Sequence, residues 1–224
     1  MLSLVKSDYI VACYGASTEN GDKFIVEELM QASLYDLLHN AAFDMNYALK
    51  LNFAHQISVC MGHLHSCSLI HRDLKSLNIL VKDNVLKICD FGLTRVMDRN
   101  NTMTSNIGTV SWIAPEVFSR KNYTEKADVY SYGVILWELI TREMPFGDVE
   151  PFSVPLLVTR GERPIIPKDC KKEMTRLIRA CWNKVPNKRP DFFAVEKDLK
   201  RMINDEIAAS KLLAKFHSDQ PPKK

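Results

Sequence analysis

The residues best suited to chemistry lie in one short stretch from His71 to Asn78, which reads His-Arg-Asp-Leu-Lys-Ser-Leu-Asn. Apolar residues precede this stretch at 69–70 and follow it at 79–81. Polar residues this dense between two apolar runs indicate a functional loop between buried elements. A surface turn with salt bridges is the alternative interpretation.

The residues that follow favour the functional interpretation. Two apolar runs, 79–81 and 85–89, flank a turn signal at 82–84 and predict a β-hairpin. Folding the chain about this turn places Asn78 opposite Cys89, so that the residue after Cys89 lies beside Asn78. The hairpin therefore has a polar open end.

Four polar side chains would meet at that end. Asn78 and Asp90 close the hairpin, and Asp73 and Lys75 lie a few residues upstream of it. An amide, two carboxylates and an ammonium group suit a site that holds a divalent cation against an anionic group.

Composition excludes several classes of protein. The chain has 224 residues, 46% of them hydrophobic and 25% charged, which is typical of one large or two small globular domains. A net charge of +3 is too small to indicate a nucleic-acid partner. We expect no membrane segment and no signal peptide, since no apolar run is long enough and the first ten residues lack the required pattern. Six scattered cysteines without a C-x-x-C pair predict reduced thiols and a cytoplasmic location.

The start of the chain predicts a small amount of β-structure. A strand from Tyr9 to Tyr14, a turn at 20–22 and a second strand at 23–27 are indicated by their β-branched, aromatic and turn residues. Two strands do not form a stable sheet alone, so we expect them to expose apolar surface. Ser33 is predicted to cap a helix, with Asp36 completing a capping box.

The rest of the chain predicts helices. Residues 93–111 read as a long loop rich in hydroxyl groups, and 127–141 as a buried central helix because it is apolar nearly all round. Asp128 lies at the start of that helix, where its carboxylate would accept backbone N–H groups. The further predicted helices span 46–66, 152–160, 171–182, 192–203 (capped by Asp191) and 204–216.

Three motifs together resemble those of eukaryotic protein kinases. Residues 71–78 match H-R-D-L-x-x-x-N, residues 90–92 match D-F-G, and residues 114–116 match A-P-E, in the right order and spacing. The resemblance implies an α+β, protein-kinase-like fold: mostly the helical C-terminal lobe, with a remnant of the small β lobe. It divides the chain into that remnant at 1–30, the C-terminal lobe at 31–204, and a C-terminal helix and polar tail at 205–224.

Other residues narrow the resemblance. The segments 161–164 and 181–190 are similar to tyrosine kinases and the tyrosine-kinase-like group, whereas Lys75 and Gly108-Thr109 are similar to serine/threonine kinases. This mixture is typical of the tyrosine-kinase-like group, which includes Raf and the mixed-lineage kinases. The implied function is ATP-dependent transfer of the γ-phosphate to Ser/Thr of protein substrates.

The resemblance also implies roles for the polar cluster. Asp73 would orient the substrate hydroxyl and accept its proton, and Lys75 would balance charge on the transferring phosphoryl group. Asn78 and Asp90 would hold Mg²⁺ against the phosphates of ATP.

A second group of positions would bind the adenine of ATP. Leu80 would lie beneath the ring, Val26 would be the gatekeeper, and Glu27, Glu28 and Leu29 would form the hinge.

The remaining implied roles are structural or regulatory. His71 and Phe91 would stack in a column between the lobes, with Gly92 directly after Phe91. Asp128 would brace the catalytic loop. Glu116 would pair with Arg189, and Thr109 would contact Asp73 and Lys75, which favours Ser/Thr acceptors. Arg72 predicts control by an upstream activating kinase or by self-phosphorylation, with the phosphate on one of three hydroxyls: Thr102, Thr104 or Ser105.

The sequence departs from the family at its start. None of the glycines forms G-x-G-x-x-G, and Lys6 is too close to Glu27 to be the ATP lysine. The chain is thus expected to lack most of the smaller lobe and to bind ATP weakly. A fragment of an active kinase, a natural truncation and a lobe completed by another chain are the three explanations. The alternative function is a catalytically silent binding or scaffold module.

Overall fold

The computed structural model describes residues 8, 10–17, 24–90, 110–119 and 124–218. The structure combines two small antiparallel sheets with a larger body of helices, which confirms the predicted α+β class. Among the described residues, no helix is both long enough and apolar enough to cross a bilayer.

The first sheet contains two strands, β1 (Cys13–Ser17) and β2 (Phe24–Glu27), with a bulge between Cys13 and Gly15. The predicted strand 9–14 is wrong in its bounds. Ile10 forms a parallel bridge with Ile88, and the N–H of Val11 donates to the carbonyl of Ile88 over 3.0 Å, so this apolar run lies along another strand before β1 begins. The predicted turn at 20–22 lies outside the described residues.

The first sheet exposes apolar side chains, as expected for an isolated pair of strands. Tyr14 is 69% exposed, and the side chains of Phe24, Ile25 and Val26 are also exposed. Every residue of β2 is therefore accessible to solvent.

The predicted hairpin is confirmed. Strands β3 (Ala32–Ser33), β4 (Ile79–Lys82) and β5 (Val85–Ile88) form the second sheet in the order β3-β4-β5, and Ile79 pairs with Ile88. The two turn residues, Asp83 and Asn84, have positive φ angles of 51° and 62°. Asp and Asn tolerate this conformation, and two such residues make the tight turn that matches the twist of a hairpin.

The first helix also begins as predicted. α1 (Leu34–His39) is capped by Ser33, whose hydroxyl accepts a hydrogen bond from the backbone N–H of Asp36, while the Asp36 carboxylate accepts from the N–H of Ser33. The backbone N–H groups of Ser33 and Asp36 at the start of α1 therefore both have a hydrogen-bond acceptor. The hydrogen bonds from Ser33 hold the pKa of Asp36 below its usual value.

The second helix, α2 (Tyr47–Ser66), packs beneath the hairpin. Its Gln56 side chain donates to the carbonyl of Asn84 over 3.0 Å and accepts from the N–H of Leu86 over 2.9 Å. Because these bonds reach both sides of the turn, α2 fixes the hairpin on the helical body.

The central helix is α4 (Glu125–Thr141), which follows the short α3 (Pro115–Phe118). Thirteen of its residues, from Ala127 to Leu139, are buried, as predicted from its apolar sequence. Its N-terminal cap is Thr124. The carboxylate of Asp128 instead accepts from the backbone of the loop at 71–72.

Three helices complete the body: α5 (Val154–Arg160), α6 (Lys172–Cys181) and α7 (Phe192–Ser218). Asp191 caps α7 as predicted, since its carboxylate accepts from the N–H of Ala194 over 2.8 Å. The prediction of two helices, 192–203 and 204–216, is wrong. No proline or glycine occurs between 192 and 216, so nothing interrupts the helical hydrogen bonds where the chain leaves the core.

Candidate active site

The loop from His71 to Asn78 connects α2 to β4 and is held from within. The His71 side chain is 1% exposed, and its Nδ1 accepts from the N–H of Asp73 over 3.3 Å. The other ring nitrogen, Nε2, therefore carries the proton and donates to the carbonyl of Cys89 over 3.0 Å. One imidazole thus joins the loop to the end of β5.

A buried carboxylate fixes the backbone of the same loop. Asp128 accepts from the N–H of His71 over 2.8 Å and from the N–H of Arg72 over 2.9 Å. Its Oδ2 also lies 3.0 Å from Nε2 of His65. Arg72 has a φ of 73°, a conformation that the surrounding hydrogen bonds must maintain. The predicted bracing role of Asp128 corresponds to these contacts.

Three of the predicted site residues are in direct contact. Nζ of Lys75 donates to Oδ2 of Asp73 over 2.8 Å. Nδ2 of Asn78 donates to the same oxygen and to the Asp73 carbonyl, each over 2.9 Å. Within the described residues Oδ1 of Asp73 accepts no hydrogen bond, so one oxygen of an oriented carboxylate is left to accept a proton.

Asp90 is brought to the cluster by the hairpin. The N–H of Cys89 donates to the carbonyl of Asn78 over 3.0 Å, which places Asp90 next to Asn78, as the sequence predicts. Asp90 is exposed and has a φ of 58°. Partial burial, and to a smaller extent the negative charge of Asp90, raise the pKa of Glu27 above its ordinary value.

The donor set fits a magnesium ion that is shared with a substrate. The NH₂ group of Asn78 donates to Asp73, so the amide oxygen of Asn78 and the neighbouring Asp90 carboxylate are the oxygen atoms that would bind the ion. Mg²⁺ is commonly bound by one or two protein oxygens together with substrate phosphates. Across the described ranges, no three His, Cys, Asp or Glu side chains form a site made of protein ligands alone.

The positions assigned to the purine lie in β2, in the two residues that follow it and in β4. Leu80 is half-buried in β4, whereas Val26 is 47% and Leu29 84% exposed. Glu28 is turned toward β5, where Nζ of Lys87 donates to both of its oxygens over 2.6 and 2.8 Å. The hydrogen bond from Lys87 lowers the pKa of Glu28.

The predicted pair between Glu116 and Arg189 is present. Nη1 of Arg189 donates to Oε1 of Glu116 over 2.6 Å and Nη2 to Oε2 over 2.8 Å, a bidentate geometry. Arg189 is 2% exposed, so this ion pair lies inside the protein and ties α3 to the residues before α7.

Sequence reasoning missed a buried carboxyl group close to the loop. Glu138 of α4 is fully buried and accepts from Oγ of Ser76 and from Nε1 of Trp112, each over 2.7 Å. Burial raises the pKa of Glu138 to about 8. The available signal was the one charged residue in the otherwise uncharged run 129–140 of α4.

Six of the predicted site residues lie between Asp90 and Val110, outside the described residues. They are Phe91, Gly92, Thr102, Thr104, Ser105 and Thr109. Their roles stay predictions.

Comparison with known proteins agrees with this geometry. A family model described as protein tyrosine and serine/threonine kinase matches residues 1–199. A probable LIM domain-containing serine/threonine-protein kinase of Dictyostelium discoideum is 42% identical over 207 residues, which cover 90% of this chain and 32% of that protein.

Two further relatives come from a plant and an animal. The serine/threonine-protein kinase STY17 of Arabidopsis thaliana is 37% identical, covering 90% of this chain and 36% of its own length. Mitogen-activated protein kinase kinase kinase 7 of Drosophila melanogaster is 35% identical, and the match covers 95% of this chain and 32% of that protein. The chain therefore spans about a third of the length of each of these curated relatives. On its motifs, their geometry and these matches, the chain belongs to the protein tyrosine and serine/threonine kinase family.

Proposed function

We propose that this chain carries the catalytic part of a protein kinase that transfers the γ-phosphate of ATP to Ser/Thr hydroxyls of protein substrates. The observation that carries the proposal is the contact of Asp73 with both Lys75 and Asn78. Two of the three relatives are named serine/threonine-protein kinases, which supports the choice of acceptor.

In this mechanism Asp73 acts as the base that receives the acceptor proton. Its Oδ2 is fixed by two donors, so Oδ1 has a defined direction from which to bind the acceptor hydroxyl. Positioning of this kind contributes much of the catalysis of phosphoryl transfer, since there is little covalent chemistry for the protein to perform.

The other charges of the site act on the phosphates. The ammonium group of Lys75, 2.8 Å from Asp73, would offset negative charge on the transferring group. Asn78 and Asp90 would hold Mg²⁺, which when bound neutralises phosphate oxygens. The backbone of Glu27 and Leu29 would bind the purine, with Val26 and Leu80 as apolar neighbours.

The same proposal assigns the lobes and the regulation. Residues 1–30 would belong to the smaller lobe and 31–204 to the larger one, although α7 crosses position 204 without a break.

Phosphorylation of Thr102, Thr104 or Ser105, by another kinase or by the protein itself, would raise activity. Replacing all three by alanine is expected to remove that increase, and unchanged activity would refute this regulation. A cytoplasmic location stays a prediction from the cysteine pattern.

The test is phosphorylation of serine-containing peptides at millimolar Mg·ATP, with Asp73→Asn as the baseline and the exposed Asp148→Asn as the matched control. We expect slow transfer by the wild-type chain and by Asp148→Asn, and a loss of about two orders of magnitude or more in Asp73→Asn. Matching tyrosine peptides should be poorer acceptors. Equal rates for wild type and Asp73→Asn would refute catalysis by this chain and favour a silent binding module.

A further inference from the structure

The outer face of α6 carries three basic side chains in a row. Lys172, Arg176 and Arg179 are exposed and follow one another at the spacing i, i+4 and i+7. At 3.6 residues per turn, these positions lie within an arc of about 60° and along about 10 Å of the helix axis. We call these three side chains the basic stripe.

The opposite face of α6 fixes the direction of the basic stripe. The buried residues of this helix are Met174, Leu177, Ile178 and Cys181. Because they lie on the far side of the helix from the stripe, the three cations face solvent. Across the described residues, no ion pair joins the stripe to an acid, and this holds for Asp169 and Glu173, the acids nearest to it in sequence.

The neighbouring helix α7 shows the more usual arrangement. There Lys200 pairs with Glu196 at i, i+4, and Arg201 pairs with Asp198 at i, i+3. In α6 the same two spacings join like charges, which repel. Lys172 also stands at the first residue of α6, where the positive end of the helix dipole disfavours a cation. Local conflicts of this kind are expected where a surface serves a function.

We propose that the basic stripe is a docking surface for an acidic peptide segment of a partner protein. Arginine binds carboxylates through two parallel hydrogen bonds, and two of the three cations are arginines. About four residues of an extended chain span 10 Å, so a short run of Asp or Glu could contact all three. The stripe is separate from the catalytic cluster around Asp73, and this inference does not depend on the proposed phosphate transfer.

A peptide fits this surface better than a membrane or a nucleic acid does. The exposed residues of α6 are all charged, so the helix presents no apolar side chain that could enter a bilayer. Segments that bind anionic lipids usually have clusters of about four to eight cations. The net charge of +3 is also small for a protein that binds nucleic acid.

Fluorescence anisotropy of fluorescein-labelled hexaglutamate, with hexaglutamine as the uncharged probe, tests the proposal. We expect the wild-type chain to bind hexaglutamate, with an affinity that falls several-fold between about 50 and about 200 mM salt. Arg176→Glu combined with Arg179→Glu should weaken this binding by about tenfold or more. Lys82→Glu combined with Arg160→Glu changes the net charge equally at exposed positions outside α6, and this control should bind nearly as the wild type does.

The single variant Arg176→Glu separates docking from folding. It places an acid four residues after Lys172 and three before Arg179, so the helix should be as stable as in the wild type or slightly more stable. Binding should nevertheless weaken, with thermal unfolding followed by circular dichroism as the readout of stability. A loss of binding that occurs only together with a loss of fold would overturn the docking role.

Three other results would also overturn the proposal. They are no binding of hexaglutamate by the wild type, equal binding of hexaglutamate and hexaglutamine, and equal binding by the wild type and the double variant. Stripe-dependent binding that is tighter to phosphatidylserine vesicles or to a labelled oligouridylate than to hexaglutamate would reassign the stripe to a membrane or to RNA.

Discussion

The carboxylate of Asp128 accepts a hydrogen bond from the backbone N–H of His71 over 2.8 Å, although 57 residues separate the two along the chain. The same carboxylate accepts from the next N–H, that of Arg72, whose φ is 73°. A non-glycine residue in this conformation costs about 1–3 kcal/mol, which the surrounding contacts must offset. The start of α4 therefore maintains the backbone from which Asp73 projects.

The first prediction concerns this contact. Asp128→Asn replaces one carboxylate oxygen by an NH₂ group and sets it against a backbone donor in a fully buried site. We expect the free energy of unfolding to fall by about 1–3 kcal/mol, the cost of leaving a buried donor without an acceptor. Urea denaturation followed by circular dichroism measures the change. The exposed Asp148→Asn is the control and should be neutral; an equal effect in both variants would contradict the bracing role.

The second prediction concerns the ion pair between Glu116 and Arg189. Glu116→Ala leaves the guanidinium of Arg189, which is 2% exposed, without its carboxylate. Breaking a buried pair on one side is expected to cost about 3–5 kcal/mol. Arg189→Met combined with Glu116→Ala should cost less than the two single changes added together, because the pair is then removed as a unit. Additive losses in this double-mutant cycle would show that the two side chains are not coupled.

Local features of the fold were predictable from the sequence. The hairpin turn at Asp83-Asn84 and the capping box of Ser33 and Asp36 depend on residues at most three positions apart. The burial of α4 follows from its apolar composition. Each of these signals is carried by neighbours in the chain, so no knowledge of the tertiary structure is needed to recognise them.

Contacts between distant segments were not predictable. Glu138 bonds to Ser76 and Trp112, which are 62 and 26 residues away along the chain, and the apolar pattern around Glu138 does not show where its carboxyl group points. Likewise the apolar run that begins at Ile10 could pair with either sheet. Only the bridge from Ile10 to Ile88 decides the choice.

The third prediction compares two glycines. A Cβ added at Gly133 in α4 would lie 2.9 Å from both Cβ of Cys181 and the backbone nitrogen of Trp182, whereas a Cβ at Gly15 would meet nothing within 4 Å. Alanine usually stabilises a helix relative to glycine. We nevertheless expect Gly133→Ala to lower the free energy of unfolding by about 1–3 kcal/mol, because the backbone of α6 must move. Gly15→Ala should change it by about 0.5 kcal/mol or less. A stabilised Gly133→Ala variant would contradict the close contact.

The fourth prediction is the effect of Glu138 on stability at different pH values. Its pKa in the folded state, about 8, lies above the ordinary value of 4.5. Between these two values the folded state binds more protons than the unfolded state, so stability falls as pH rises from 4.5 to about 8 and then levels off. Glu138→Gln removes this contribution. The difference in unfolding free energy between Glu138→Gln and wild type should therefore grow in favour of the variant over that range; a constant difference would contradict the raised pKa.

The last prediction concerns the metal site. Asp90→Asn keeps the shape and the positive φ of 58°, which asparagine tolerates, but removes the charge of one proposed magnesium ligand. We expect the Mg²⁺ concentration required for half-maximal nucleotide binding to rise by about tenfold or more. Because the negative charge of Asp90 contributes to the raised pKa of Glu27, the same variant should lower that pKa toward its ordinary value. Calorimetric titration and carboxyl NMR measure the two effects independently. The exposed Asp44→Asn is the control, and an unchanged Mg²⁺ requirement in Asp90→Asn would exclude Asp90 as a ligand.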